Sequence, residues 1–398
     1  MKKALILASV ASMIEQFNMG NIKVLQELKY EVHVATNFID SGTITRERAE
    51  ELKNKLKDLN VKYYQIDFDR NVLSTKNIQA YKQVKQLIKE NKYNIIHIHS
   101  PIGGVCGRLA AKKERKNGTK VIYTAHGFHF FKGAPAKNWL IYYPVEKWLS
   151  KYTDCLITIN EEDYNLAKKK FKAKNVEYVP GIGVDENKFN FEMSREERNE
   201  LRKSLGINED DFVLIYVAEL SKRKNQQMLI KAISLLEPNV LEKVKVLLPG
   251  KDSMNGKYQE LAKNLNVDKN IQFLGYRTDI PKLMKISDLA VSTSRQEGLP
   301  VNLMEAMFCN LPIIATDCRG NRDLADDCVK IDDEKLLKEK LLNQIHDYKN
   351  NKIEYKNISM YSWKNVEKLM YDTYKKMEEW FYGKHPKDSF NYSTLFRF

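Results

Sequence analysis

Six short apolar runs, spaced by longer amphipathic ones, govern what the first half of this chain can become. They cover residues 4–9, 31–36, 62–67, 94–99, 120–125 and 155–159. The runs are rich in Val, Ile and Tyr, and several lack polar alternation, the pattern of strands buried on both faces. Helical patterns lie between them, for instance over 75–90 and 136–151. Strand, helix, strand in this rhythm predicts a doubly wound parallel sheet. The rhythm restarts with strand-like runs at 213–218, 245–249, 271–274, 289–292 and 313–316, and helical stretches at 226–236, 258–265 and 301–309. Between the halves, VPGIGVD at 179–185 carries two glycines and a proline and reads as the boundary. Ser194, with Glu197 three residues on, reads as the capping box of a helix over 194–205. The expected fold is α/β, with a first doubly wound domain over 1–182 and a second over 183–360. A helix over 361–382 is expected to cross back onto the first domain, and 383–398 has no assignment. A length of 398 residues, 43% of them hydrophobic, suits two cores.

In such sheets ligands bind beyond the carboxyl ends of the strands, so the loops there carry the candidate chemistry. The first, SVASM at 9–13, is small and polar and includes Ser12, but it has no glycine. The dinucleotide fingerprint is therefore absent. His97 and His99 alternate along the fourth strand and share a face, and His97 reads as structural. His126 ends the fifth strand and is followed by Gly127, a position that favours function. In the second half, Lys222-Arg223-Lys224 precede a helix, where cations and free N–H groups together can hold a diphosphate. The stretch SRQEGLPVNLMEAM at 294–307 sets Glu297 before Gly298-Leu299-Pro300, and Glu305 eight residues after Glu297. Pro300 suits the first position of a helix, and a helix N-terminus attracts phosphate. Carboxylates accept hydrogen bonds from hydroxyls. The ligand that fits both is part polyol and part phosphate, as a sugar nucleotide is. Arg319 and Arg322, in the next loop, read as exposed arginines, with phosphate contact as the alternative.

Composition narrows the partners. Lys and Arg number 66 against 52 Asp and Glu, a net charge of +14, which favours something acidic. The excess is spread over short runs such as 112–116 and 168–170, and no compact basic and aromatic stripe points to nucleic acid. Five cysteines without CxxC spacing predict neither a zinc site nor a disulfide framework and fit a reducing, cytoplasmic compartment. The apolar run after Lys2 and Lys3 is too short for a secretory signal, and no run is long enough to span a bilayer. Asp67-Phe68-Asp69 has the look of a metal motif but follows the third strand of the first domain, so no metal is expected there. The stretch NWLIYYPVEKWLSKY at 138–152 is either a helix covering the sheet or one lying at a lipid interface, with Pro144 as a kink or a boundary.

Glu297-Gly-Leu-Pro-x4-Glu305 matches the E-x7-E motif of family 4 of the retaining glycosyltransferases, whose fold is GT-B, two Rossmann-like domains facing across a cleft. Thr124-Ala-His-Gly-Phe-His-Phe-Phe-Lys-Gly133, Tyr142-Tyr-Pro-Val-Glu146, Ile157-Thr-Ile-Asn160 and Arg319-Gly-Asn-Arg-Asp323 resemble bacterial exopolysaccharide and capsule glycosyltransferases. The resemblance runs from near the N-terminus to about Trp380. It implies a transferase that moves a hexose or N-acetylhexosamine from a UDP-sugar, with retention, to a saccharide on a polyprenyl diphosphate. It gives catalytic roles to His126, Glu297 and Lys224. His126 would stabilise the transferred sugar, Glu297 would hold its hydroxyls and Lys224 would neutralise the diphosphate. Glu305 would hold the ribose, and Gly298, Leu299, Pro300 and Arg223 would complete the donor site. Ser12, His129, Trp139, Tyr142 and Trp148 would lie on the acceptor or membrane side of an enzyme attached peripherally to the cytoplasmic membrane face. No metal or other cofactor is implied. Three departures stand out. Ala218-Glu219-Leu220 replaces the family's Gly-Arg-Leu, Asn225 replaces a glycine after the lysine, and the first loop lacks the usual glycine pair. The rival readings are a UDP-sugar 2-epimerase of the same architecture and a non-catalytic sugar-nucleotide-binding protein.

Overall fold

A computed structural model describes residues 1–326, 328–347, 355 and 357–381. The first sheet holds β1 (Lys2–Leu7), β2 (Tyr30–Thr36), β3 (Lys62–Gln65), β4 (Ile95–His99), β5 (Lys120–Ala125), β6 (Cys155–Thr158) and β7 (Asn175–Tyr178). All its pairings are parallel, in the order β3-β2-β1-β4-β5-β6-β7. The second holds β8 (Phe212–Ile215), β9 (Val244–Pro249), β10 (Ile271–Gly275), β11 (Leu289–Ser292), β12 (Ile313–Thr316) and β13 (Cys328–Val329). Its order is β10-β9-β8-β11-β12-β13, again parallel. In each sheet the winding reverses beside the first strand, which opens a crevice between β1 and β4 and another between β8 and β11.

Both faces of the central strands are buried. Ala4 and Ile6 of β1 join one apolar cluster while Leu5 and Leu7 join the opposite one, as the period of two requires. Such strands show no polar alternation, which is why they were readable as plain apolar runs. Several boundaries differ from expectation. The chain leaves the ladder at Leu7 rather than residue 9. The run 213–218 pairs regularly only to Ile215, although Tyr216 N–H and Ala218 N–H still donate to β9 carbonyls at 3.0 and 3.1 Å. Two edge strands, β7 and β13, went unexpected. Asn175–Tyr178 is polar and half-buried, so it carries little apolar signal. The helix Ala136–Ser150 runs on through Pro144. Ser194 caps the helix Arg195–Ser204 with both bonds of the capping box in place.

The chain crosses between the sheets twice, and the crossings lie side by side. Val184 N–H donates to Tyr361 O at 2.8 Å, and Trp363 N–H donates to Val184 O at 2.9 Å. The helix Trp363–Phe381 then packs on the first sheet's core through Val366, Met370, Tyr374 and Met377. Its Tyr374 hydroxyl meets His97 Nδ1 at 2.7 Å, and its Glu378 pairs with Lys2. The tail 383–398 lies outside the described residues.

Candidate active site

The loops after β8 and β11 flank one crevice and meet through Glu297. Its carboxylate accepts from Lys224 Nζ at 2.5 Å, from Ser294 Oγ at 2.5 Å and from Arg223 Nη1 at 3.4 Å. The Tyr216 hydroxyl braces the group, lying 2.8 Å from Ser294 Oγ and donating to Lys224 O at 2.8 Å. Two cations against one carboxylate leave this cluster one charge positive. Lys224 precedes Asn225, whose φ of 56° is left-handed. Asparagine tolerates that conformation better than most residues, which explains how it stands in a position where glycine is usual. Its side chain is held in turn by Arg295 and Asp332. Glu219 accepts from Ser253 Oγ, and its carbonyl accepts from Gln226 Nε2 at 2.9 Å. Arg223, half-exposed beside Glu297, is the second cation of the site.

Glu305 lies on the helix Val301–Phe308. Its carboxyl makes no hydrogen bond among the described residues, and burial pushes it up to about 7 against the opposing charge of Lys188. Pro300 does not occupy the helix's first position as expected. It is the N-cap, with ψ of 114° keeping it extended, so the helix begins one residue later. Leu299 is packed into the second domain's core beneath Gly181. Gly298 sits where a β-carbon would come within 2.4 Å of His126 O, so only glycine lets the two domains touch at this point.

On the opposite wall three histidines cluster at the ends of β4 and β5. His97 is bonded to Tyr374 and, through Nε2, to Thr124 Oγ1 at 2.8 Å, the structural role its place suggested. His99 Nδ1 lies 3.1 Å from His126 Nε2, and the His97 and His99 rings are 4.1 Å apart. The His99 Nε2 is buried without a partner among the described residues. Burial lowers His97 to about 3 and His126 to about 4, and it holds His99 far below the ordinary imidazole range. All three are neutral at neutral pH. His126 and His99 also line a cavity of about 440 Å³, walled by Phe17, Met19, Ile159, Trp363 and Met370. Lys224, Glu297 and Glu305 take no part in that lining.

The remaining candidates are scattered. Ser12 is buried, its N–H donating to Ser41 O at 2.9 Å, and it does not line the cavity. His129 stacks on Tyr142 with ring centres 4.6 Å apart. Trp139 donates to Phe131 O at 3.3 Å and leans on Phe130. Trp148 faces solvent beside Leu140, Ile141 and Val145. The helix Ala136–Ser150 therefore covers the sheet with one face and exposes an apolar strip on another. Asp67 accepts from Gln83 and Gln79 of the helix Lys76–Asn91, and Asp69 closes a local turn by accepting from Asn71 N–H. Arg319 is not the exposed loop arginine expected, being buried against the first domain. Sequence reasoning missed Tyr216, Ser294, His99 and Asp163 as site residues. Ser294, three residues before Glu297, and His99, alternating with His97, carried a local signal; Tyr216 and Asp163 did not.

Two doubly wound parallel sheets that present their carboxyl edges to one another, with the cation and carboxylate cluster on the second, define the GT-B glycosyltransferase architecture. Among solved structures, Anabaena HepE in complex with UDP and glucose superposes with a TM-score of 0.72 at 19% identity, over 94% of this chain and 100% of that one. Sucrose-phosphate synthase from Thermosynechococcus elongatus gives 0.73 at 16% identity, over 95% and 99%. At such identities the likeness speaks for the fold alone. The family model "Glycosyl transferases group 1" matches residues 197–363, and "Glycosyl transferase 4-like" matches residues 6–160. A Bacillus subtilis relative named "Putative glycosyltransferase EpsD" is 42% identical over 327 residues, which is 82% of this chain and 81% of that protein. An Escherichia coli UDP-Gal:alpha-D-GlcNAc-diphosphoundecaprenol alpha-1,3-galactosyltransferase is 31% identical over 64% of this chain and 66% of its own. This chain belongs to the 4-like, group 1 glycosyltransferase family, and it is a glycosyltransferase.

Proposed function

We propose that the chain transfers a hexose or N-acetylhexosamine from a UDP-sugar, with retention, to a saccharide carried on a polyprenyl diphosphate during assembly of a surface polysaccharide. The observation that carries this reading is Glu297, which gathers Arg223 and Lys224 eight residues before the unpartnered, half-buried carboxyl of Glu305. A carboxyl in that state lacks donors, and the two vicinal hydroxyls of a ribose supply them. The E. coli relative, named for a UDP-galactose donor and a diphosphoundecaprenol-linked acceptor, supports the substrate classes, as does the glycosyltransferase fold shared with a UDP complex.

In the transfer, the bond from the anomeric carbon to the β-phosphate oxygen breaks, and the acceptor oxygen bonds to the same face. The acceptor proton passes to the departing phosphate oxygen, the nearest base on that face. The principal demand is the growing negative charge on UDP. Lys224 and Arg223, held in place beforehand by Glu297, meet it without reorganising. Arg223 thereby takes over the role of the family arginine replaced by Glu219. His126, neutral, offers a hydrogen bond to a sugar hydroxyl rather than a charge. We assign the reaction no metal or cofactor, because these cations serve the leaving group. The exposed strip of Leu140, Ile141, Val145 and Trp148, flanked by Lys147 and Lys151, suits a lipid surface, which would place the enzyme peripherally on the cytoplasmic membrane face.

The test is a panel of UDP-sugars incubated with and without a lipid-diphosphate saccharide, in buffer with EDTA. UDP release that needs acceptor and survives EDTA is the expected result. UDP release without acceptor, together with a free hexosamine, would establish epimerisation instead. Binding of donor with no turnover on any acceptor would leave a sugar-nucleotide-binding protein.

A further inference from the structure

Arg319 comes from the second domain, after β12, and is 1% exposed. Its Nε donates to Glu297 O at 3.2 Å. Its Nη1 donates to Phe128 O at 2.6 Å and to Asp163 Oδ1 at 3.2 Å, both in the first domain. The Phe131 ring lies 4.7 Å from the guanidinium. Asp163 also accepts from Phe128 N–H at 2.9 Å and from Asn160 Nδ2 at 3.0 Å. Phe128 is therefore gripped at its N–H by Asp163 and at its carbonyl by Arg319, two residues after His126. The backbones here are in contact. A β-carbon on Gly127 would lie 2.5 Å from Arg319 Nη2 and 3.3 Å from Gly298 Cα, and one on Gly320 would lie 2.3 Å from Gly298 O. Arg319 is the side chain threaded through this three-loop junction. A guanidinium so buried, with Asp163 against it, is not available to a diphosphate.

We propose that Arg319 is a positioning residue that registers His126 of the first domain against Glu297 of the second, so that the site assembles only when Arg319 is seated on Asp163. This rests on the glycosyl-transfer reading above. The bonds explain the choice of residue. One planar fork reaches the Glu297 carbonyl with one edge and the Phe128 carbonyl and Asp163 with another, which a lysine cannot do. Outside it, Arg322 pairs with Glu162 at 2.6 Å, and Asp323 accepts from Glu161 N–H at 2.8 Å. These contacts hold the same helix end but touch neither His126 nor Glu297.

The decisive variants are Arg319→Lys and the double variant Arg319→Met/Asp163→Asn, which leaves no unpaired buried charge. Turnover of UDP-sugar with acceptor should fall at least tenfold in the first and at least fiftyfold in the second. Affinity for UDP, measured by calorimetry, should stay within threefold in both, because Lys224 and Glu305 are untouched. Arg322→Met should keep kcat within threefold. Retained turnover in Arg319→Lys, or UDP affinity falling in parallel with kcat, would overturn the proposal; Arg319→Lys alone decides it should the double variant not fold. Small-angle scattering of Arg319→Lys gives an activity-free reading, in which an expanded particle supports the latch and an unchanged one refutes it. A native chain that binds UDP but turns over no UDP-sugar would instead sink the glycosyl-transfer reading, and scattering would still decide the latch.

Discussion

Glu305 and His126 sit in similarly buried places, and burial moves them in opposite directions. Glu305 is pushed up to about 7, whereas an unfolded glutamate titrates near ~4.3. The folded chain thus holds one extra proton between those values. Stability from this group is complete below about 4.3 and is lost as the pH rises through about 7, by roughly 4 kcal/mol. Glu305→Gln should therefore melt above the native chain at pH 8, match it near pH 4.5, and bind UDP at least tenfold more weakly. Equal melting at pH 8 would show that the carboxyl finds a partner in solution. His126→Ala should lower kcat about a hundredfold with donor affinity within threefold, and Lys224→Ala should lower kcat by about 10² to 10³. Loss of donor affinity in the histidine variant would reverse the assigned roles. The two glutamates were legible because their spacing is local, with seven residues between them. Asp163 was not, since its partner Arg319 lies 156 residues away and only the fold brings them together.

At the level of elements, the central strands could be read and the edges could not. Burial on both faces leaves β4 and β5 with mostly apolar residues and no exposed position, whereas β7 keeps Asn175 and Glu177 half-buried. The histidines at the ends of β4 and β5 illustrate what a pattern leaves out, because their alternation was visible but their loss of charge was not. His97, His99 and His126 are all lowered by burial. The unfolded chain takes up these protons below about 6.5. Stability from this trio is therefore present above that pH and lost as the pH falls toward 4. The urea midpoint should drop between pH 7 and pH 5, and His99→Phe should shrink the drop; an undiminished drop in that variant would assign it elsewhere. The helix Ala136–Ser150 is amphipathic in a different sense, with its aromatics divided between sheet and solvent. Leu140→Asp with Trp148→Asp should abolish flotation with anionic vesicles at low salt while leaving turnover of a water-soluble acceptor analogue within threefold. A native chain that fails to float would remove the membrane proposal.

For the molecule as a whole, the helix Trp363–Phe381 completes the first domain rather than the second. Tyr374 is fully buried and satisfies His97 Nδ1. Tyr374→Phe should destabilise the chain by about 1–3 kcal/mol, the cost of a buried imidazole nitrogen left unpartnered, as read from urea unfolding. No loss would mean that water replaces the hydroxyl. The order in which a ribosome delivers these parts has a consequence. Residues 2–178 emerge first and can form their sheet, but Val366, Met370, Tyr374 and Met377, each worth about 1.5–3 kcal/mol of burial, arrive nearly two hundred residues later. Until then the nascent first domain carries an uncovered apolar flank, while the second has every strand it needs before synthesis is finished. The domain translated first is therefore the last to be sealed, and the uncovered flank is where chaperones would find this chain during translation.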